Sequence, residues 1–557
     1  MPAVRGVPPT NPDGGGRSLE ADGDRAHRPT SRRRSTIRDI WSLAPSYLIP
    51  GLASFVAVPA LFTALGAAEY GRWALIYAVA AGVPQVTTSW LEARVVRFGH
   101  RPGRSGDPWR IALAAGGSTL LAAPLALLVL PGASQPEVLA AVLLTVVVSL
   151  YLLEIARLQA RMAFGSVSLA ATVRSIAGAV LGIAGAVATG QAWLAIAGLA
   201  AGYVVGQLLG ELWMRRRPHE GGSQPGEQPP QAAEPARDVG AAPWSPPAEG
   251  AGYGIASGAN ATAQYVLSVG DRFVLSTLRS PAEVGVYTAT YALVDLAARF
   301  APGVVITAVR PRVFRAADLG STEAHRALLT RLAALLAGIV AAGAIGLLAL
   351  SLLVPALPVE PTLVGPIAIG LTCYVAANSL AVLYSAWVRQ GRLAAHAIAA
   401  ASACIALNLA LVPGMGPLGA GVATAGSYAV LVALNGTGLQ SIRRVDRGPL
   451  LTFTGAIGSL VALTGGTAVG GPILGLALAA TVLVVSLPWA IRTVAAIRSG
   501  FSGSGGLGLE PAIAPADRHQ DPEREPQVRL VEESPGKLAR QEDEQDRGAG
   551  GPRRDAP

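Results

Sequence analysis

Charge is what this 557-residue sequence is shortest of. Only 14% of it is charged, where soluble domains usually carry about 25%. The shortage deepens in the middle, because both ends are polar and rich in Arg, Asp and Glu. That balance excludes an ordinary soluble domain. Lysine is nearly missing: Lys537 stands alone, and Leu538 follows it. A glycine-rich phosphate loop ends in Gly-Lys-Ser/Thr, so this chain hydrolyses no ATP by that route. Two cysteines, Cys373 and Cys404, both fall in apolar stretches. They read as small buried residues and are too few to build a metal centre. The six histidines are scattered, and only His396 approaches an apolar span. No Ser-His-Asp order and no metal-ligand spacing emerges. The expectation is a protein that is not an enzyme and carries no cofactor or metal.

A cleaved leader is not expected either. The first apolar run begins near Ile40 and is longer than the roughly 7–15 residues of a signal core. The net charge of +9 is carried almost wholly by Arg. Those arginines cluster between apolar stretches, where they set membrane topology, so no nucleic-acid partner is expected.

What the chain has in abundance is long apolar runs. Stretches such as Leu328–Val354 and Ile473–Ile491 match the roughly 20 residues that cross a hydrocarbon core of about 30 Å. Such runs occur near 40–65, 72–91, 109–130, 137–157, 166–189 and 192–214. After a polar gap they resume near 253–278, 284–308, 328–354, 362–387, 394–412, 416–439, 449–469 and 473–497. The expected fold is an all-α polytopic membrane protein with about 14 transmembrane helices. Six parts follow: a disordered basic cytoplasmic tail over 1–39, a six-helix lobe over 40–214 and a polar cytoplasmic linker over 215–251. A second six-helix lobe spans 252–440, two additional helices 441–498, and a disordered cytoplasmic tail 499–557.

Charge tests the map. With the N-terminus inside, the inner connectors hold Arg94, Arg97, Arg101 and Arg104, then Arg157 and Arg161, then Arg215–Arg217. Further along they hold Arg310, Arg312, Arg315 and Arg326, then Arg389 and Arg392, then Arg443, Arg444 and Arg447, then Arg492 and Arg498. The outer connectors hold little beyond Arg72 and Arg279. Alternation of this kind supports an even number of spans with both termini in the cytoplasm. Tryptophans near span ends, Trp41, Trp73, Trp193 and Trp489 among them, suit an interfacial belt.

The sequence also repeats itself. Glu69-Tyr-Gly71-x5-Tyr77-Ala78 and Glu283-Val-Gly285-x5-Tyr291-Ala292 share Glu-x-Gly-x5-Tyr-Ala. Each opens the second span of a six-span set. An even repeat keeps its orientation, so the sets would be parallel lobes related by an axis along the membrane normal, with a cleft between them.

Two further segments carry a resemblance. Asp271-Arg-Phe-Val-Leu-Ser-Thr-Leu-Arg-Ser-Pro-Ala-Glu-Val-Gly-Val-Tyr287 and Asn408-Leu-Ala-Leu-Val-Pro-Gly-Met-Gly-Pro-Leu-Gly-Ala-Gly-Val-Ala-Thr424 resemble the polysaccharide flippases of the Wzx type. Those proteins move O-antigen or teichoic acid precursors and belong to the multidrug/oligosaccharidyl-lipid/polysaccharide exporter superfamily. The Glu69-Tyr70-Gly71 step fits the same pattern, and the resemblance runs from about Trp41 to Arg498. It implies two six-helix lobes forming a V. It also implies a lipid-linked saccharide as substrate, undecaprenyl-pyrophosphate-linked or similar, in the inner membrane. Membrane lipid, a coupling cation and polysaccharide-assembly proteins are the partners that go with it. The long tails and the Pro-rich linker depart from the compact family pattern.

Ionisable groups inside a bilayer cost about 2.5–3.5 kcal/mol at a helix centre and are usually functional or paired. Candidates for the cleft are therefore Arg174, Arg272, Arg299, Asp271 and Asp295. Arg174 lies roughly one-third of the way along span five at 1.5 Å per residue; its planar fork suits phosphate oxygens, while snorkelling to headgroups would leave it structural. Asp271 and Arg272 are neighbours about 100° apart on a helix, so one can face the cleft while the other pairs elsewhere. Asp295 and Arg299 are spaced to pair within one helix. Tyr47, Asn260, Gln264, Tyr291, Asn378 and Asn408 can bond sugar hydroxyls, or each other between helices. Pro45, Pro50 and Pro59 are expected to bend or break the first span. Competing readings are an ion-coupled multidrug exporter of the same fold, a membrane glycosyltransferase or polymerase, and a scaffold acting through its tails.

Overall fold

The computed structural model describes residues 36–98, 108–129, 132–160, 164–216, 246–318, 323–386, 390–437 and 447–502. Every element in them is an α-helix. In chain order these are α1 (Thr36–Thr87), α2 (Ser89–Phe98), α3 (Pro108–Val129), α4 (Gln135–Ala160), α5 (Phe164–Thr189), α6 (Ala192–Arg216) and α7 (Pro246–Leu278). There follow α8 (Pro281–Asp318), α9 (Glu323–Leu353), α10 (Pro361–Ala386), α11 (Gln390–Met415), α12 (Pro417–Thr437) and α13 (Arg447–Ser502). Among the described residues nine helices are long and apolar enough to cross a membrane. Large apolar side chains such as Leu120, Val187, Leu353, Val469 and Ile473 stand exposed on their outer faces, as expected where the solvent is lipid. The chain is a multi-pass α-helical membrane protein.

A helix overlies each expected span, with two differences in how they join. The first and second spans form one run, α1, and the last two form another, α13. Each doubles back at a glycine: Gly66 with φ 75° and Gly471 with φ 79°. Both lie in the left-handed region that side chains avoid, so the turn needs no loop. The expected break at Pro45, Pro50 or Pro59 does not occur; all three lie within helix, and the only non-helical residue of α1 is Gly66. A proline forfeits one backbone bond, and in a bundle neighbouring groups can re-satisfy the freed carbonyl. The second difference is α2, a separate short amphipathic helix.

The helices before the polar gap pack among themselves, α5 on α6, α4 on α6 and α1 on α3, α4 and α5. Those after it do likewise, α11 on α7 and α12, α10 on α9 and α12, and α13 sits on α9 and α10. Glycines set the closest approach on the first side. Added Cβ atoms at Gly198 and Gly202 of α6 would overlap the backbone of Leu181 and Gly178 of α5. Small residues in register are how membrane helices gain contact where lipid removes the hydrophobic drive.

The two groups meet along a continuous seam, and α1 packs more extensively on α8 than on any helix of its own group. At one end Gly71 faces the carbonyl oxygen of Pro281, while Gly285 faces that of Ala67. Each glycine meets the residue four before the other, so the repeated motif pairs with its own copy. Further along, the Tyr265 hydroxyl of α7 donates to the Ala78 carbonyl of α1, and its ring covers Gly82. Thr262 donates to the Gln85 carbonyl at 3.1 Å, and Trp90 of α2 lies on Gly258. Tyr47 on α1 covers Gly303 on α8. The open cleft expected between halves is closed at all these levels, because glycines let tyrosine rings and backbones come together.

The connections near the glycine crossing are short and tied by acids. Glu69 accepts from the Ala192 backbone N–H at 3.2 Å, at the start of α6, and lies 3.7 Å from Arg72. Glu137 accepts from the Ser134 N–H at 2.7 Å, the Ser134 hydroxyl at 3.0 Å and Arg72 at 3.4 Å. Its side chain is 6% exposed against 35% for Glu69. Burial decides their relative weight: Glu69→Ala should cost about 0.5–1 kcal/mol. Glu137→Ala, which strands buried donors, should cost about 1–3 kcal/mol. Thermal unfolding of the detergent-purified variants checks the order; equal losses would contradict it.

The connectors at 99–107, 130–131, 161–163, 217–245, 319–322, 387–389 and 438–446, with Arg101, Arg104, Arg161, Arg217, Arg389, Arg443 and Arg444 among them, lie outside the described residues, as do the tails 1–35 and 503–557.

Candidate functional site

Arg174, Asp271 and Arg272 lie in two places in the interior, and each place is built from tyrosines. The first is on α5. The Arg174 guanidinium lies 5.3 Å from the ring centre of Tyr151 on α4 and 4.7 Å from that of Tyr203 on α6. Those two rings meet edge to face at 5.2 Å. Tyr77 of α1 lies within electrostatic reach. Arg174 also donates to the Ser175 hydroxyl at 3.3 Å, while its buried Nε has no hydrogen-bond partner. It can approach its rings because Gly206 of α6 leaves no side chain in the way.

The second place is on α7 at the seam. Asp271 is fully buried. Its Oδ2 accepts from the Tyr287 hydroxyl on α8 and from the Thr424 hydroxyl on α12, the latter at 2.9 Å. Its Oδ1 accepts from the backbone N–H of Arg272 at 2.7 Å. Both oxygens are therefore committed, and no ion pair joins the Asp271 and Arg272 side chains. Arg272 instead turns its guanidinium over the ring of Tyr291, 4.7 Å from its centre. It is 9% exposed, and its Nε has no hydrogen-bond partner. Tyr287, Tyr265 and, from the other group, Tyr70 stand within electrostatic reach. Tyr70 is fully buried and its hydroxyl is also unpartnered.

An aromatic ladder on α1 leads from one arginine to the other. Tyr70 stacks on Trp73 at 5.2 Å, and Trp73 stacks on Tyr77 at 5.7 Å. Residues three and four apart share a helix face, which aligns these rings. The Trp73 indole N–H is buried without a partner. Tyr77 and Tyr291, the tyrosines of the sequence repeat, thus occupy like positions, each beside the arginine of its own group.

Energetics separate the two arginines. A buried cation over an aromatic ring gains up to about 2 kcal/mol, against an insertion cost of about 2.5–3.5 kcal/mol. Two rings over Arg174 roughly offset that cost, which suits a structural role. Arg272 has one ring and a neighbouring acid already committed to other donors. It keeps more unspent capacity.

The other candidates are dispersed. Asn408 is fully buried on α11, donating to the Cys404 carbonyl at 2.8 Å, with its Oδ1 unpartnered. Asn260 and Gln264, four apart on α7, are half-buried and each has an unpartnered side-chain oxygen. Asn378 and Asp295 are half-buried on α10 and α8. Tyr47 belongs to the seam. Arg299 is on α8, but its side chain lies outside the described residues. Arg174 and Arg272 each have their own tyrosine surroundings. Tyr70, Trp73, Tyr287 and Thr424 were not expected at the site from sequence. Tyr70 and Tyr287 lie inside the quoted motifs, and the wide spacing of tyrosines, 12 in the chain, was the available signal. Beyond the spans, burial raises the Glu92 carboxyl of α2 above its usual range, and the Thr88 hydroxyl bonded to it at 2.9 Å opposes the shift.

No protein-family model matches the chain, and no curated protein matches it. Among solved structures it is similar to the lipid II flippase MurJ in an inward closed conformation, at 13% identity and a TM-score of 0.49, over 82% of this chain and 98% of that one. It is also similar to the MATE multidrug transporter DinF-BH in complex with R6G, at 16% identity and 0.44, over 73% and 96%. A third likeness is a MATE structure in complex with MaD3S, at 15% identity and 0.30, over 84% and 98%. At these values the likenesses assign neither a family nor an activity to this chain.

Proposed function

We propose that this protein is a flippase that moves a lipid-linked saccharide precursor across the cytoplasmic membrane by alternating access. In this reading α1–α6 and α7–α12 are two parallel lobes, α13 supplies two added spans for 14 in all, and both termini are cytoplasmic. The single observation that carries it is the seam around Arg272. A buried guanidinium with an unspent Nε and an unpartnered Tyr70 hydroxyl lie within electrostatic reach of each other across the junction of the two helix groups. Phosphate oxygens match both donors, and an anion seated there would touch both halves at once. Parting the seam on one side at a time would pass it across. Saccharide hydroxyls have the Trp73 N–H and the oxygens of Asn260 and Gln264 to bond. The lipid tail stays in the bilayer, where an apolar hollow of about 590 Å³ between Phe55, Pro59, Ile183 and Leu357 could hold it.

The competing exporter of cationic drugs needs free acid in the path, and both Asp271 oxygens are committed to neutral donors. A glycosyltransferase or polymerase would need chemistry that no residue cluster supplies among the described residues. Reconstitution into liposomes separates these readings. The protein should carry a fluorescent polyprenyl-pyrophosphate oligosaccharide from one leaflet to the other and leave a cationic dye in place. Transport of the dye alone would overturn the proposal.

A further inference from the structure

Among the ionisable side chains that the proposed path leaves unused, one sits in a defined hydrogen-bond network. His396 lies near the start of α11, half-buried, at the other end of that helix from Asn408. Its Nδ1 is 3.0 Å from the Asn435 Oδ1 on α12. The amide is fixed in that orientation: its Nδ2 donates to the Ala377 carbonyl of α10 at 3.3 Å. The Tyr384 hydroxyl donates to the Asn435 backbone carbonyl at 3.0 Å, and the Tyr384 ring meets the imidazole edge to face at 5.7 Å. Asn435 is fully buried. An amide oxygen only accepts, so Nδ1 must carry the hydrogen, and the lone pair of the neutral ring is on Nε2.

We infer that His396 is a proton-binding site, with Nε2 the atom that takes the proton and Asn435 the residue that holds the ring in the receptive tautomer. The inference rests on the transporter reading for its use and on the hydrogen bonds alone for its chemistry. Uptake is a simple transfer from water: Nε2 gains a proton, the ring becomes a cation, and the Nδ1–H bond to Asn435 becomes charge-assisted and stronger. Histidine suits this because its neutral ring keeps one nitrogen lone pair free to accept a proton. Among the charged or titratable described groups on the elements around it, Tyr384 on α10 meets the ring. Tyr253 on α7 and Arg392 on α11 lie toward the same helix ends, while Cys373 and Tyr374 of α10, Cys404 of α11, Tyr428 of α12 and Tyr265, Asp271 and Arg272 of α7 lie farther along their helices. Protonation would therefore tighten the contact with Asn435 that joins α11 to α12. About 12 residues, or roughly 18 Å at 1.5 Å per residue, separate His396 from Asn408. A proton taken here would therefore report the state of one membrane face.

The test uses the full chain in lipid nanodiscs. The other histidines, His27, His100, His219, His325 and His519, are replaced by Gln, and the remaining ring is followed by 15N NMR. At pH 8 the spectrum should show a neutral ring protonated at Nδ1, and acidification to pH 5 should protonate Nε2 reversibly. A ring protonated at Nε2 at pH 8, or no change on acidification, would overturn the inference whatever the protein transports. In liposomes, saccharide movement by wild type should change at least threefold between pH 5.5 and pH 8, and His396→Gln should flatten that profile. An unchanged profile in the variant would refute the coupling role. Absence of any saccharide movement in wild type would instead refute the flippase reading, and the NMR result would stand.

Discussion

Arg272→Ala should lower saccharide translocation at least tenfold, while Arg272→Lys should keep a measurable part of it. Hydrogen bonds to charged groups contribute about 1.5–3 kcal/mol, which is roughly a tenfold to hundredfold change in rate if the bond forms only as the headgroup crosses. Lysine keeps the charge but loses the flat fork that stacks on Tyr291 and spans two phosphate oxygens, so it should fall between the two. Tyr70→Phe removes only the opposing hydroxyl and should cost less, about threefold to tenfold. Arg174→Ala should act differently. With two rings gathered round it, its loss should lower thermal stability more than translocation in the protein that survives. Rates per folded molecule, normalised by size-exclusion profiles, distinguish these effects. An Arg272→Ala protein that transports normally would remove Arg272 from the path.

The second large effect is expected at the crossing of α1 and α8. A methyl group at Gly71 or at Gly285 would overlap backbone atoms, the Pro281 and Ala67 carbonyls. No rotamer change relieves a clash with backbone, so each single Ala substitution should cost about 3 kcal/mol, the upper end for overpacking. Both glycines belong to one contact. Once the first substitution has pried the helices apart, the second meets open space, and the double variant should lose clearly less than the sum. Melting of the three variants in the same detergent gives the cycle. Additive losses would mean that the two contacts are independent.

Much of the fold was legible because membrane helices announce themselves by length and apolarity. The apolar run Leu328–Val354 and the helix Glu323–Leu353 nearly coincide. The turns were harder. Gly66 alone, and Gly470 with Gly471, reverse the chain, and nothing in an Ala/Gly-rich stretch distinguishes such a glycine from its helical neighbours. The prolines of α1 misled for a related reason: proline rules come from water, where an unpaired carbonyl has no packed helix beside it. For the site, Asp271 and Arg272 stood out as costly charges, and adjacent positions on a helix did place them apart. Their partners did not stand out. Tyr70 and Tyr287 look like ordinary interfacial aromatics until tertiary packing carries them to the seam. That Arg174 and Arg272 occupy separate surroundings depends on which face of α5 meets α6, and this was hidden because glycines mark both helices on several sides.

The Gly71–Gly285 crossing joins two copies of one motif. When the same short motif lies on both sides of a contact, each side is complementary to itself, which is the defining property of a twofold homodimer. At this level of the seam the two helix groups meet as the partners of such a dimer do, within one chain.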